Sequence, residues 1–111
     1  MYTYEMYLKS IDLPGIYVVS GDRGTKYIGS SRTSVLKRWR KHLSDLRRNA
    51  HHNTPLQESY NNGEEFKVYM HEYHAHDVPL SHLDRREEYC LNGFAHVAVN
   101  VPNSVHRARR V

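Results

Sequence analysis

Gly15-Ile16-Tyr17-Val18-Val19-Ser20, Lys26-Tyr27-Ile28-Gly29-Ser30 and Val35-Leu36-Lys37-Arg38-Trp39-Arg40-Lys41-His42 decide the architecture of this chain. The first run is β-branched and aromatic, and the polar Gly21-Asp22-Arg23-Gly24-Thr25 separates it from the second, so a hairpin is expected. Pairing Ser20 with Lys26 sets Tyr17 opposite Gly29. Side chains alternate along a strand, so Tyr17, Val19, Tyr27 and Gly29 share one face while Ile16, Val18 and Ile28 share the other. Gly29 has no side chain, which lets the ring of Tyr17 lean across the neighbouring strand toward Tyr27. In the third run Ser34 or Thr33 caps a helix by accepting a backbone N–H bond, and Val35, Leu36, Trp39, Leu43 and Leu46 form its apolar stripe. Lys37, Lys41 and Arg48 fall on the opposite, solvated face. Arg38 and His42, four apart, lie on the border of the stripe beside Asp45, where the helix meets the sheet.

Outward from this centre, residues 1–13 carry too many apolar groups for a free tail and are expected to form a short helix or strand extension covering a sheet edge. Asn49 to Asn53 is a polar, histidine-bearing connection. Thr54-Pro55 has the form of an N-cap with proline at the first helical position, and Asn61-Asn62-Gly63 stops the short helix that follows. Phe66 to Tyr73 alternates as a third strand, with Phe66, Val68, Met70 and Glu72 on one face. Ser81 caps a helix over 82–91, beyond which 94–102 returns across the core as extended chain. The end, with Arg107, Arg109 and Arg110, has nothing apolar to anchor it and reads as a mobile tail over 103–111. Residues 1–102 then make one domain, since 111 residues suffice for one core and not comfortably for two.

Sixteen Lys and Arg against twelve Asp and Glu give a net charge of +4, which leans toward a polyanionic partner. A single cysteine, Cys90, rules out an internal disulfide and a cysteine-based zinc site, and reads as a small core residue. No apolar run approaches the roughly 20 residues of a membrane helix, and no charged-then-apolar leader opens the chain, so a cytoplasmic protein with no membrane partner is expected. His71, His74 and His76 suggest zinc only weakly, because strand alternation sends His71 away from the other two.

Helical arithmetic singles out one acid. At about 100° per residue, Leu80, Leu83, Glu87, Cys90 and Leu91 share one sector, while Glu88 and Asp84 project toward its edges. A carboxylate in a core-facing stripe costs several kcal/mol (roughly, from desolvation) unless a cation compensates it, and Arg38 or a metal ion is the candidate.

GIY at 15–17, YIG at 27–29 and KRW at 37–39 resemble the signature of the GIY-YIG nuclease family. The likeness continues through His51-His52-Asn53, Leu56-Gln57, Gly63-Glu64, the helix bearing Glu87, and Asn100, and its spacing is most similar to the catalytic domains of phage-type homing endonucleases. The resemblance implies an α/β (α+β) fold, a small three-stranded, mainly antiparallel sheet flanked by helices. It implies a divalent-metal-dependent endonuclease acting on double-stranded DNA, with Mg²⁺ or Mn²⁺ and no small organic cofactor. Glu87 would hold the metal, Arg38 the scissile phosphate, and Tyr17 would be the general base, with Tyr27 and His42 as alternatives. Gly29, Ser30, Arg40, Lys41, Arg47, Arg48, His51 and His52 are expected to meet the substrate, and Asn100 to support the helix that bears Glu87. The rival readings are a non-catalytic nucleic-acid-binding module on the same fold and a nuclease of repair or branched DNA. The chain leaves no room for a separate sequence-reading domain, so weak sequence choice is expected, with the oligomeric state open.

Overall fold

A computed structural model describes residues 1–93 of the chain. The elements run α1 (Tyr4–Ile11), β1 (Gly15–Gly21), β2 (Lys26–Ser31), α2 (Val35–Arg47), α3 (Thr54–Asn61), β3 (Phe66–Tyr73) and α4 (Leu80–Gly93). β1 is central in a three-stranded antiparallel sheet of order β2-β1-β3. Ser20 pairs with Lys26 and Tyr17 with Gly29, the register expected from alternation. The two faces of the hairpin therefore feed two cores. Tyr17, Val19 and Tyr27, with Val68, pack against Ile11, Val35, Leu36, Trp39, Leu46 and Leu56 of the first three helices. Ile16, Val18 and Ile28 pack against Leu83, Cys90 and Leu91 of α4. The result is three layers, helices on both sides of a thin sheet. No helix among the described residues is long and apolar enough to cross a membrane.

Several boundaries differ from the sequence reading, each for a local reason. The N-terminal segment is a helix, capped by Thr3, whose side chain accepts from Met6 N–H. It is laced to the edge strand β3, where the Tyr7 hydroxyl donates to the Val68 carbonyl and Tyr73 donates to the Ser10 carbonyl at 2.9 Å. The cap of α3 is Asn53 rather than Thr54, because Asn53 Oδ1 accepts from Leu56 N–H at 2.9 Å. α4 begins at Leu80, ahead of the expected cap Ser81, since the Pro79 carbonyl already accepts from His82 N–H at 3.0 Å. In β3, Ile16 pairs with Glu72 but Tyr17 with Met70, so His71 is skipped. That slip turns Glu72 off the face of Val68 and Met70 and onto the α4 side, where Arg86 grips it with bonds of 2.8 and 2.7 Å.

Buried Glu64 fixes the hairpin turn. Its carboxylate accepts from Arg23 N–H (3.0 Å), Thr25 N–H (3.1 Å) and the Thr25 hydroxyl (2.6 Å). It lies so close to Gly21 that an added Cβ would come within 1.9 Å of it. Burial pushes the carboxyl pKa up, but these donors more than offset it and hold the group below its ordinary value. Its stabilising effect is therefore present above the ordinary carboxylate range and is lost as pH falls through the lowered folded value. Glu64→Ala, which strands these part-buried donors, is expected to cost about 1–3 kcal/mol in urea denaturation at neutral pH. The difference from wild type should shrink in acid, where the native carboxylate is itself protonated.

Candidate active site

Tyr17 stands on the central strand and crosses to the edge strand through Gly29. A Cβ built on Gly29 would meet the Tyr17 hydroxyl at 2.3 Å and its Cζ at 2.4 Å, so the phenol occupies the space a side chain would need. Tyr17 is 1% exposed and Tyr27 4%. α2 then supplies two groups from the border of its stripe. His42, 2% exposed, places Nε2 2.6 Å from the Tyr17 hydroxyl. Arg38, one turn earlier and exposed, acts on the same phenol by charge and by hydrogen bonding. Burial raises the Tyr17 pKa above its ordinary value, the Tyr27 phenol adds to that, and Arg38 pulls the other way.

Glu87 reaches the site from the other side of the sheet. It is half-buried on α4 between Leu83 and Cys90-Leu91, and its Oε1 accepts from the Ser30 hydroxyl at 2.5 Å. Ser30 follows Gly29 on β2 and faces α4, so the set is not gathered on one face. It wraps the edge strand: tyrosines and His42 on the α2 side, Ser30 and Glu87 on the α4 side, and Gly29 thinning the sheet between them. Glu87 is nonetheless close enough to Tyr17 for its charge to oppose ionisation of the phenol.

The expected substrate-binding residues divide. By helical geometry Lys41 lies roughly 60° round α2 from Arg38, whereas Arg40 and Arg47 lie roughly 160–180° from it, on the far border of the stripe. Lys41 and Arg48 both engage Asp45, at 3.3 and 2.5 Å. His51, expected to meet the substrate, is buried with both ring nitrogens engaged inside the domain. Its Nε2 lies 2.7 Å from His42 Nδ1, and its Nδ1 accepts from Asn53 N–H at 3.0 Å. His52 is exposed and stacks on His51 with ring centroids 4.6 Å apart. Asn100 and the tail lie outside the described residues. Cys90 is a buried core thiol whose pKa burial pushes up, and His74 bonds the Val78 carbonyl at 2.9 Å.

Sequence reasoning missed the His42–His51–Asn53 chain and the Ser30–Glu87 bond. The first runs through a loop without period. The second was foreshadowed only by Ser30 following the glycine.

Residues 13–96 match the GIY-YIG catalytic domain. Among solved structures, the catalytic domain of homing endonuclease I-TevI is 26% identical, with a TM-score of 0.64 over 72% of this chain and 86% of that one. A mutant of the catalytic domain of intron endonuclease I-TevI, 24% identical over 72% of this chain and 81% of that one, shares the fold at the same TM-score. No curated protein matches the chain. A match to the GIY-YIG catalytic domain over residues 13–96, the stretch that contains Tyr17, Tyr27, Arg38 and Glu87, places this chain in the GIY-YIG family, with a nuclease domain.

Proposed function

We propose that the domain is a divalent-metal-dependent endonuclease of double-stranded DNA, related in its chemistry to homing endonucleases. The observation that carries this reading is the convergence of a phenol, a guanidinium and a carboxylate around Gly29 on the edge strand. A pure binding module needs the cation but gains nothing from a half-buried carboxylate opposite it.

Among the described residues no three His, Cys, Asp or Glu side chains come together as a metal cage. A single carboxylate beside a hydroxyl is a sparse, hard oxygen site, which suits Mg²⁺ with most of its waters retained, and Mn²⁺ as a substitute. Glu87 would hold the ion, which when bound supplies Lewis-acid stabilisation of charge on the phosphoryl and leaving oxygens. Arg38 grips the scissile phosphate and stabilises the pentacovalent charge. Tyr17, as phenolate, takes a proton from the attacking water, whose oxygen bonds to phosphorus as the P–O bond to the leaving sugar oxygen breaks. Lys41, on the same flank of α2 as Arg38, tracks the backbone, and His52 lies at the exposed end of the histidine stack. Arg40 and Arg47 face away and would meet only a wrapped or second duplex. Such a protein works inside the cell, where duplex DNA is.

The test is relaxation of supercoiled plasmid with Mg²⁺, with Mn²⁺ and with EDTA. Nicking or cutting abolished by EDTA is expected. Tight DNA binding without any cutting would replace this reading by a binding module, and cutting confined to branched duplexes would replace it by a repair-type nuclease. Affinity should fall steeply with salt, and Lys41→Ala should lower the salt slope by about one, more than Arg40→Ala or Arg47→Ala does.

A further inference from the structure

The three bonds that end on Tyr17 admit only one arrangement of protons. The Asn53 backbone N–H, an obligate donor, points at His51 Nδ1, so that nitrogen must carry a lone pair. His51 is then neutral, with its proton on Nε2. His51 Nε2 faces His42 Nδ1 at 2.7 Å. The ring centroids are 4.9 Å apart, close to the most that this separation allows, so the two nitrogens lie between the rings in an in-plane hydrogen bond rather than a face stack. One proton fits between them, and it is the one on His51. His42 Nδ1 therefore accepts, His42 is neutral, and its proton sits on Nε2, 2.6 Å from the Tyr17 oxygen. The surroundings agree with two neutral rings. Burial first, then the neighbouring histidines and Arg38, hold His42 down to about 3, and burial with His52 holds His51 down to about 4.

We propose that Asn53 and His51 are positioning residues that lock His42 as a hydrogen-bond donor to the Tyr17 oxygen, so that His42 stabilises the phenolate and does not remove the phenol's proton. The consequence for the site is specific. His42 and the guanidinium of Arg38 both favour negative charge on one oxygen, while the phenol's own O–H is left to point away from His42. Taking that proton onto His42 would require both histidines to change tautomer and would set His51 Nδ1–H against the Asn53 N–H. The chain ends at a backbone amide that cannot ionise, so it orients and does not conduct. This inference rests on the proposed nuclease chemistry for its effect on rate, but the tautomers can be read without it.

The experiment is long-range ¹H–¹⁵N spectroscopy of the imidazoles in the whole protein around neutral pH, with His42 and His51 assigned by single His→Gln substitutions, combined with kinetics on plasmid. A protonated Nε2 and a bare Nδ1 on both rings are expected, and would support the lock even if no DNA were cut, an outcome that would refute only the nuclease reading. A protonated Nδ1 on either ring, or an imidazolium, overturns the lock even if cutting is brisk. In His51→Phe, the His42 ring should shift toward the Nδ1–H form and kcat should fall about 10–100-fold at nearly constant KM. If His51→Phe is folded with unchanged kcat, the positioning role is wrong. His42→Gln keeps an amide donor near the position of Nε2 but cannot act as a base, so it should retain far more activity than His42→Leu. Equal loss in those two variants would overturn the donor role.

Discussion

Glu87→Gln is expected to abolish plasmid cleavage and to remove calorimetrically detected Mn²⁺ binding, while Glu88→Gln should leave both nearly unchanged. This contrast follows from one helix. Leu83, Cys90 and Leu91 bury the stripe of α4, and Glu87 shares it, half-buried and bonded to Ser30. Glu88 is rotated about 100° away and is exposed. The amide of Gln keeps a hydrogen bond to the Ser30 hydroxyl and fills the same volume, so the fold stays, but it has no charge with which to hold a hard cation. DNA binding should be retained or become tighter, because a negative charge has been taken away from the phosphate path. If the ion still binds to Glu87→Gln and is lost from Glu88→Gln, the site has been drawn on the wrong face of the helix.

The hairpin and its consequences were legible because a single missing side chain and a period of two fix them. Gly29 opposite Tyr17 settles the register, and the register settles which residues meet α2 and which meet α4. The stripe on α4 was legible for the same kind of reason, with a period near 3.6. What escaped sequence reading has no period. Asn49, at φ 57°, turns the chain back at the end of α2, and Gln57 holds the return by donating to the Leu46 carbonyl and accepting from His51 N–H, both at 3.0 Å. Only that reversal brings His51 under His42, so a histidine expected to meet substrate became part of the interior. The slip at His71 escaped as well. Alternation predicts one face for Glu72, and an extra residue in one strand of a pair gives the other.

Tyr17→Phe should lower kcat roughly 100- to 10,000-fold, the range expected for loss of a positioned base, with little change in KM for DNA. The substitution removes one oxygen from a ring that stays packed, so the domain remains folded, at a cost of about 1–3 kcal/mol for leaving the His42 donor buried without its acceptor. Gly29→Ala tests the same oxygen without deleting it. The new methyl needs the space the phenol occupies, so the ring must move off the edge strand, and cleavage should fall nearly as far as in Tyr17→Phe while the hydroxyl is still present. Arg38→Lys should rescue little over Arg38→Ala, since a point charge replaces neither the planar grip on phosphate nor the donor beside the phenol. The pH profile separates a base from a structural hydroxyl. Burial raises the Tyr17 pKa above its ordinary alkaline value, so only a small fraction is ionised near neutrality. Saturating rates should therefore climb with rising pH in the wild type, and that climb should vanish in Tyr17→Phe. A Tyr17→Phe protein that cuts at a near-normal rate with the same upward slope would move the base to another group and leave Tyr17 as part of the sheet.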